Sequence, residues 1–499
     1  TERMVVKFAG KTLAGKARER PDLVKKILNK TKRDGVAATV RAVLARLDKP
    51  LPLGYSASGE VIAVGKGLEG SFCVGQRVAV AGAGLANHAD LNVIPANLAT
   101  HIPDDVSYDE ACFGTLASIA MHAVRNVNQS LGDYVAVIGV GLLGQLIVNL
   151  LSLSGIRVLA LDYNISRLGL AQKMGAESTL DLGNKSENLE ATISTLTDGR
   201  GMDGVIISAS TKTSEPLKIA GTIARDRARI CLVGLTGTEF PFRDFLQKEL
   251  SLVVSRSYGP GRYDNDYEGR GIKYPEGWVR WTETENLAES LRLMSPSLEN
   301  RLNVGLLTTH KFKFEDAKKA YQLVTEATET HLGVILSYED DKQKTTSFSA
   351  PKSNKLSGFV VGVIGAGNFA RSVLLPNLKS MKEVTLHTVV TQSGASAEKT
   401  KDTFGFLQAT TNIESVLKNP NINAVIIATR HDSHAEICQR ALNADKYVLV
   451  EKPLALSRIE INRVIEARNQ STKFFQIGFN RRFAPLSLLI REHLTNHSG

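Results

Sequence analysis

Apolar positions along the chain repeat with two different periods. Between residues 17 and 47, Leu23, Ile27, Val36, Val40, Val43 and Leu47 recur at three- and four-residue spacing, which predicts helix. From Leu53 to Val80 the pattern shortens to small apolar runs (GEVIAVG, GQRVAV) punctuated by glycines at 54, 59, 65, 67, 70 and 75, as in a compact β lobe. Helical spacing returns over 108–128. The chain then alternates: strand Tyr134 to Ile138, helix to Leu153, strand Arg157 to Leu161 ending on Asp162, a helix carrying Leu168 and Leu170, strand Gly204 to Ser208, helix 214–224 and strand Arg229 to Gly234. Strands separated by helices at this spacing predict a parallel, doubly wound sheet. The pattern starts again with strands Phe359 to Ile364, Val384 to Val390, Ala424 to Ala428 and Tyr447 to Val450, predicting a second sheet. Between the two lies Glu339 to Gly358, polar and rich in Ser, Thr and Lys, which reads as a linker.

With 499 residues, 43% apolar and 22% charged, the chain has material for several cores and is neither a disordered tail nor a fibre. Its longest apolar runs, such as Tyr134 to Gly144, fall short of the ~20 residues that span a bilayer, and no signal segment opens the chain. No membrane partner is expected. Cys73, Cys112, Cys231 and Cys438 are scattered without a CxxC pair, which excludes a disulfide framework and a structural zinc cluster and points to a reducing, cytoplasmic setting. Nine of the ten net positive charges come from residues 1–50, where 14 Lys/Arg face 5 Asp/Glu. Phe8 is the sole aromatic residue before Tyr55, so no base-stacking platform accompanies that charge. A solvated basic helix, or a patch for an anionic substrate, is therefore preferred over nucleic-acid binding. The chain opens on Thr1 and closes on Gly499 after a helix-like run, as a fragment cut at both ends would.

Two glycine clusters change the picture most. Strand 134–138 runs into Gly139-Val140-Gly141-Leu142-Leu143-Gly144, a GxGxxG at the opening of a helix. The first glycine permits the tight turn, the second clears space for a pyrophosphate, the third lets helix and strand pack, and the helix N-terminus offers free N–H groups. Asp162, 23 residues after Gly139, stands where a carboxylate accepts from a ribose diol and repels a 2′-phosphate, which predicts NAD rather than NADP at this first site. Gly365, Gly367 and Ala370 give the GxGxxA variant after strand 359–364. Here Thr391-Gln392-Ser393 replaces the acid, so NAD and NADP both stay open; Lys399 or Lys401 is either a 2′-phosphate contact or a solvated helix lysine.

The catalytic candidates follow. Glu451-Lys452-Pro453 comes directly after strand 447–450, at the carboxyl edge where ligands bind parallel sheets. An ammonium at Lys452 can donate to a substrate oxygen whose charge changes during hydride transfer, and the proline fixes the backbone that aims it. His434, in Thr429-Arg430-His431-Asp432-Ser433-His434 after another strand end, either lines the nicotinamide pocket or simply begins a helix. No HExxH occurs, and His88, His101 and His122 have no metal-ligand spacing, so no metal site is expected.

Several segments resemble the medium-chain dehydrogenase/reductase superfamily: PLGYSASGEVIAVG from Pro52, VGQRVAV from Val74, IPDDVSYDEA from Ile102, the Gly139 fingerprint, and Phe312 to Tyr338. Gly54-Tyr55-Ser56 stands where zinc-dependent members carry Gly-His-Glu, and the four-cysteine lobe is absent, so the resemblance is to a zinc-free member. From Gly358 the chain resembles the Gfo/Idh/MocA oxidoreductases of sugars and cyclitols, with Glu451-Lys452-Pro453 as that family's EKP motif and GFNRRFAP from Gly478 as the start of its second domain. Together these resemblances, with the unusual insertion Ser257 to Trp281, imply a bacterial two-domain oxidoreductase associated with surface polysaccharide. The implied fold is α/β: a truncated GroES-like β lobe plus two Rossmann-type doubly wound parallel sheets, with the start of a C-terminal α+β domain. Its boundaries are 1–125 for the basic segment and lobe, 126–260 for the first Rossmann domain and 261–338 for the insertion and return to the lobe. The linker occupies 339–357, the second Rossmann domain 358–476 and the C-terminal domain 477–499.

The reading is an NAD(P)-dependent oxidoreductase with two dinucleotide sites acting on a carbinol or carbonyl carbon of a sugar or nucleotide-sugar, Lys452 handling the proton. A zinc-free quinone or enone reductase with an accessory domain, and a dinucleotide-binding scaffold without turnover, are the alternatives. The resemblance also implies self-association through sheet edges or β lobes.

Overall fold

Strand Tyr134–Ile138 contains an unbroken apolar run because both of its faces are covered. Val135 and Val137 pack with helices Gly114–Val127 and Leu142–Leu153, while Ala136 and Ile138 pack with Leu217 and Ile223 on the opposite side. In the second half Val361 and Val363 face Leu375 and Phe406, and Val360 and Ile364 face Cys438 and Leu442.

The computed structural model describes residues 51–184, 188–327, 329–339 and 358–497, together with isolated positions before residue 51. The helix expected over 17–47 and nearly all of the linker lie outside the described residues. In chain order, β1 (Ser56–Glu60), β2 (Arg77–Ala81) and β3 (Ala99–His101) form a small antiparallel sheet. Six parallel strands follow: β4 (Tyr134–Ile138), β5 (Arg157–Asp162), β6 (Ser178–Asp181), β7 (Met202–Ile207), β8 (Ala224–Leu232) and β9 (Ser251–Val254), in the order β6-β5-β4-β7-β8-β9. A parallel pair, β10 (Thr308–Lys313) and β11 (Gly333–Ser337), closes this unit. The second unit holds β12 (Phe359–Ile364), β13 (Val384–Val390), β14 (Gln408–Thr410), β15 (Ala424–Ile427), β16 (Tyr447–Val450) and β17 (Phe475–Ile477), ordered β14-β13-β12-β15-β16-β17. Both six-stranded sheets thus reverse direction beside their first strand, β4 and β12. That reversal opens the crevice in which open α/β sheets bind ligands.

The fold class is as expected, with differences in detail. The helix expected over 108–128 is two: Ser107 and Glu110 form a capping box for Tyr108–Ala111, and a new helix begins at Gly114. Gly114 lets helix Glu283–Met294 cross closely, a Cβ there meeting Leu287 Cδ1 at 2.9 Å. After β17, a helix spans Pro485–His497.

The Ser257 to Trp281 segment is tightly built. Asn97 donates to the Tyr267 carbonyl at 2.8 Å, Tyr267 stacks on Tyr274, and Trp281 lies between the guanidinium groups of Arg125 and Arg280. At its end Glu283 is 2% exposed and neither carboxylate oxygen has a hydrogen-bond partner. Burial, reinforced by Glu268, pushes this carboxyl up to about 8, against the opposing pull of Arg262 and Arg256. Between the ordinary carboxylate range and about 8, the unfolded chain releases this proton while the folded chain keeps it, so stability falls as pH rises through that window. Glu283→Gln is therefore expected to flatten the pH dependence of Tm between pH ~5 and ~8, a difference on the order of a few kcal/mol at the alkaline end. An unchanged slope in thermal denaturation would remove Glu283 as its source.

Candidate functional site

At the carboxyl end of β4 the three glycines meet three different steric demands. Gly139 has φ +88°, and a Cβ there would lie 2.7 Å from the Cα of Ala209, which follows β7 across the reversal point. Gly144 has no room either, because its Cβ would be 2.2 Å from the Gly139 carbonyl oxygen, which also accepts from the Ser208 hydroxyl. Gly141, the N-cap of helix Leu142–Leu153, has nothing within 4 Å of its would-be Cβ. Open space at this one position, over unpaired helix N–H groups, is the shape a pyrophosphate requires. Asp162 ends β5 and is 8% exposed; its Oδ2 accepts from the Val140 amide at 2.8 Å and its Oδ1 from the Asn164 amide at 3.0 Å. The carboxylate therefore fastens the phosphate loop, a role its position in the sequence did not reveal, and its remaining lone pairs are available to a ribose. The next residue, Tyr163, donates to Glu215 at 3.2 Å, on the wall of a cavity of about 640 Å³ that Lys212, Ser214, Lys218 and Thr238 also line.

The second unit repeats this geometry. Gly365 has φ +93° and its Cβ would lie 2.5 Å from the carbonyl oxygen of Ala428 after β15, while Gly367 faces open space. Ala370 occupies the third position and is buried. At the end of β13 Ser393 caps helix Gly394–Phe404, its hydroxyl accepting from the Ser396 amide, and Thr391 donates to the Ser393 carbonyl at 2.7 Å. Lys401 pairs with Glu398 on its own helix.

Two strands away, β16 delivers Glu451, Lys452 and Pro453 to the same edge, the Glu451 amide bonding the Ile427 carbonyl at 2.9 Å. Lys452 is exposed and its ammonium has no partner among the described residues. At Gly478, just past β17, a Cβ would sit 2.7 Å from Glu451 Oε1, so any side chain there would push the carboxylate aside. His434 does begin a helix, His434–Asn443, and is 1% exposed. Its Nδ1 lies 2.7 Å from the Pro453 carbonyl and its Nε2 3.2 Å from that of Thr429, so the ring ties the Glu-Lys-Pro turn to the loop after β15.

The three histidines weighed as metal ligands are each engaged separately. His88 meets the Tyr321 hydroxyl, His101 meets Gln76 and His122 meets Asn126. Burial, then Arg125 and Arg256, pushes His122 down to about 4. Among the described residues no group of three or more His, Cys, Asp or Glu side chains is placed to hold a metal ion, and no helix is long and apolar enough to cross a membrane. The four cysteines are free thiols.

Two parallel sheets of nucleotide-binding order, each with an open glycine at its reversal point, have the form of a pair of Rossmann dinucleotide-binding sheets. Comparison with known proteins agrees. Residues 359–479 match the Gfo/Idh/MocA profile, described as an oxidoreductase family with an NAD-binding Rossmann fold, and residues 143–269 match a profile described as zinc-binding dehydrogenase. The two units thus carry segments similar to two different oxidoreductase families. The described residues supply no donor set for the zinc named in the second description.

Among relatives, Oxidoreductase P35 of Formosa agariphila is 34% identical over 136 residues, 27% of this chain and 42% of that protein. Myo-inositol 2-dehydrogenase of Thermotoga maritima is 28% identical over 123 residues, 25% of this chain and 36% of that protein. Sorbitol dehydrogenase of Halalkalibacterium halodurans is 25% identical over 307 residues, 55% of this chain and 80% of that protein. The chain thus spans about two fifths of the length of the first two.

Proposed function

We propose that the chain is a two-site NAD(P)-dependent dehydrogenase that moves hydride between nicotinamide and the carbinol or carbonyl carbon of a sugar or polyol. The observation that carries this reading is Lys452, an unpartnered ammonium on the same sheet edge as the open Gly367 cradle. Relatives named as inositol and sorbitol dehydrogenases support a polyhydroxylated substrate. A nucleotide-sugar substrate in polysaccharide synthesis is the finer form, resting on the fusion of the two modules.

When bound, the dinucleotide supplies the hydride acceptor or donor. Gly139, Gly141 and Gly144, and in the second unit Gly365, Gly367 and Ala370, bring backbone amides to its phosphates. Asp162 favours an unphosphorylated ribose at the first site. Lys452 hydrogen-bonds the substrate oxygen; as the neutral amine it takes the carbinol proton when the carbon is oxidised, and as the ammonium it returns that proton when the carbonyl is reduced. The Glu451 carboxylate lies against Gly478, and His434 ties the turn through the Pro453 carbonyl.

The test follows nicotinamide absorbance with the full chain against inositols, sorbitol, free sugars and nucleotide-sugars, with quinones and enones as contrast. Turnover of a polyhydroxylated substrate is expected. Dinucleotide binding without turnover of any would favour a scaffold, and turnover of quinones or enones alone would favour a reductase of that class.

A further inference from the structure

The two modules provide an internal comparison at the place where a dinucleotide's adenosine ribose is read. In the first, the residue after the third fingerprint position is Gln145, fully buried, whose Nε2 donates to the Val140 carbonyl and, at 2.8 Å, to the carbonyl of Arg167, third residue of the helix capped by Asn164. In the second, the same position is Arg371, and its Nη2 donates at 3.2 Å to the carbonyl of Ser396, third residue of the helix capped by Ser393, and also to the Ser396 hydroxyl. The bridge is the same and the charge differs. In the first module the strand before the bridged helix ends on the carboxylate of Asp162, whereas in the second the segment Thr391, Gln392 and Ser393 that leads into the helix bridged by the guanidinium carries no charge.

Among the described residues Arg371 has no counter-ion. It is half-buried, its Nε is buried without a partner, no described carboxylate pairs with it, and the first turn of helix Gly394–Phe404 contains no acid. Burial alone draws its guanidinium below the ordinary arginine range, with no neighbouring acid opposing it. A partly desolvated cation is costly unless something anionic completes it. Planar N–H donors, serine and threonine hydroxyls and a helix N-terminus form a set matched to a phosphate monoester.

We infer that Arg371, with Ser393 and Ser396, reads the 2′-phosphate of NADP, so that the second site takes NADP while the first takes NAD. This rests on the dinucleotide reading of both sites. It also bears on how the sites cooperate: separate cofactors exclude direct recycling of one dinucleotide between them and leave a shared substrate as the link.

The experiment uses the full chain carrying Gly141→Trp, which closes the first cradle. NADPH and NADH are titrated by fluorescence, and 2′,5′-ADP and 5′-AMP by calorimetry. NADPH is expected to bind about 10- to 100-fold tighter than NADH, and 2′,5′-ADP tighter than 5′-AMP. Arg371→Gln, which restores the first module's residue, is expected to erase that preference while NADH affinity and Tm hold; Arg371→Lys should keep part of it. Equal binding of the two dinucleotides, or a preference that survives Arg371→Gln, would overturn the assignment to Arg371. Loss of all dinucleotide binding in the Gly141→Trp chain would instead defeat the two-site reading, and this inference with it.

Discussion

Replacing Lys452 by Met is expected to lower kcat about 100- to 10,000-fold, the range spanned by removal of a positioned proton donor or acceptor. NAD(P)H affinity and Tm should stay unchanged. The separation is sharp because Lys452 is exposed and bonds no other described residue, so its removal leaves the fold's interior contacts intact. Lys452→Arg distinguishes two roles for the charge. A guanidinium preserves attraction for an oxygen but does not release a proton near neutral pH. Activity that stays low in the arginine variant supports proton handling, whereas recovery would reduce Lys452 to an electrostatic contact. A fall in kcat below tenfold in the Met variant would contradict its catalytic place.

The second large effect belongs to the cradles. Gly141→Trp should abolish dinucleotide binding at the first site and leave the second untouched, and Gly367→Trp should do the reverse. Both glycines have nothing within 4 Å of a would-be Cβ, so a side chain there starts out into the phosphate position rather than into protein. Gly139 and Gly365 are poor choices for this purpose. Each has positive φ and would drive a side chain into the backbone after the neighbouring strand, near Ala209 and Ala428, and binding would be lost together with the fold. Circular dichroism on the two Trp variants should therefore match the parent chain. If either substitution removes binding at both sites, the modules are not independent binding units.

Much of this architecture was legible because strands buried on both faces leave long apolar runs. β4, β5 and β12 stand out for that reason, and the glycine turns after β4 and β12 give the reversal points. The edge strands do not announce themselves. β6 (STLD), β14 (QAT) and β17 (FQI) are three or four residues long, pair on one side and are only partly apolar, while β9 is largely exposed. Site residues divide in the same way. Backbone-dictated positions such as Gly139, Gly365 and Lys452 follow from local order in the chain. Asp162 was legible as an acid at a strand end, but its bond to the Val140 amide is a tertiary contact. Gln145 and Arg371 escaped notice because their significance lies in a bridge to the next helix, 22 and 25 residues away. One sequence signal existed, a cation after the third fingerprint position in the module that lacks the strand-end acid. The buried Glu283 gave none, since an acid followed by a helix reads as an ordinary first-turn residue.

The central claim is that one polypeptide carries two working dinucleotide cradles. Its most direct measurement is the binding stoichiometry of NADH and NADPH together on the full chain, by calorimetry, beside the Gly141→Trp and Gly367→Trp variants. Two dinucleotides per chain are expected, falling to one in each variant and to none when both substitutions are combined. One per chain in the parent, or a stoichiometry indifferent to both substitutions, would contradict it.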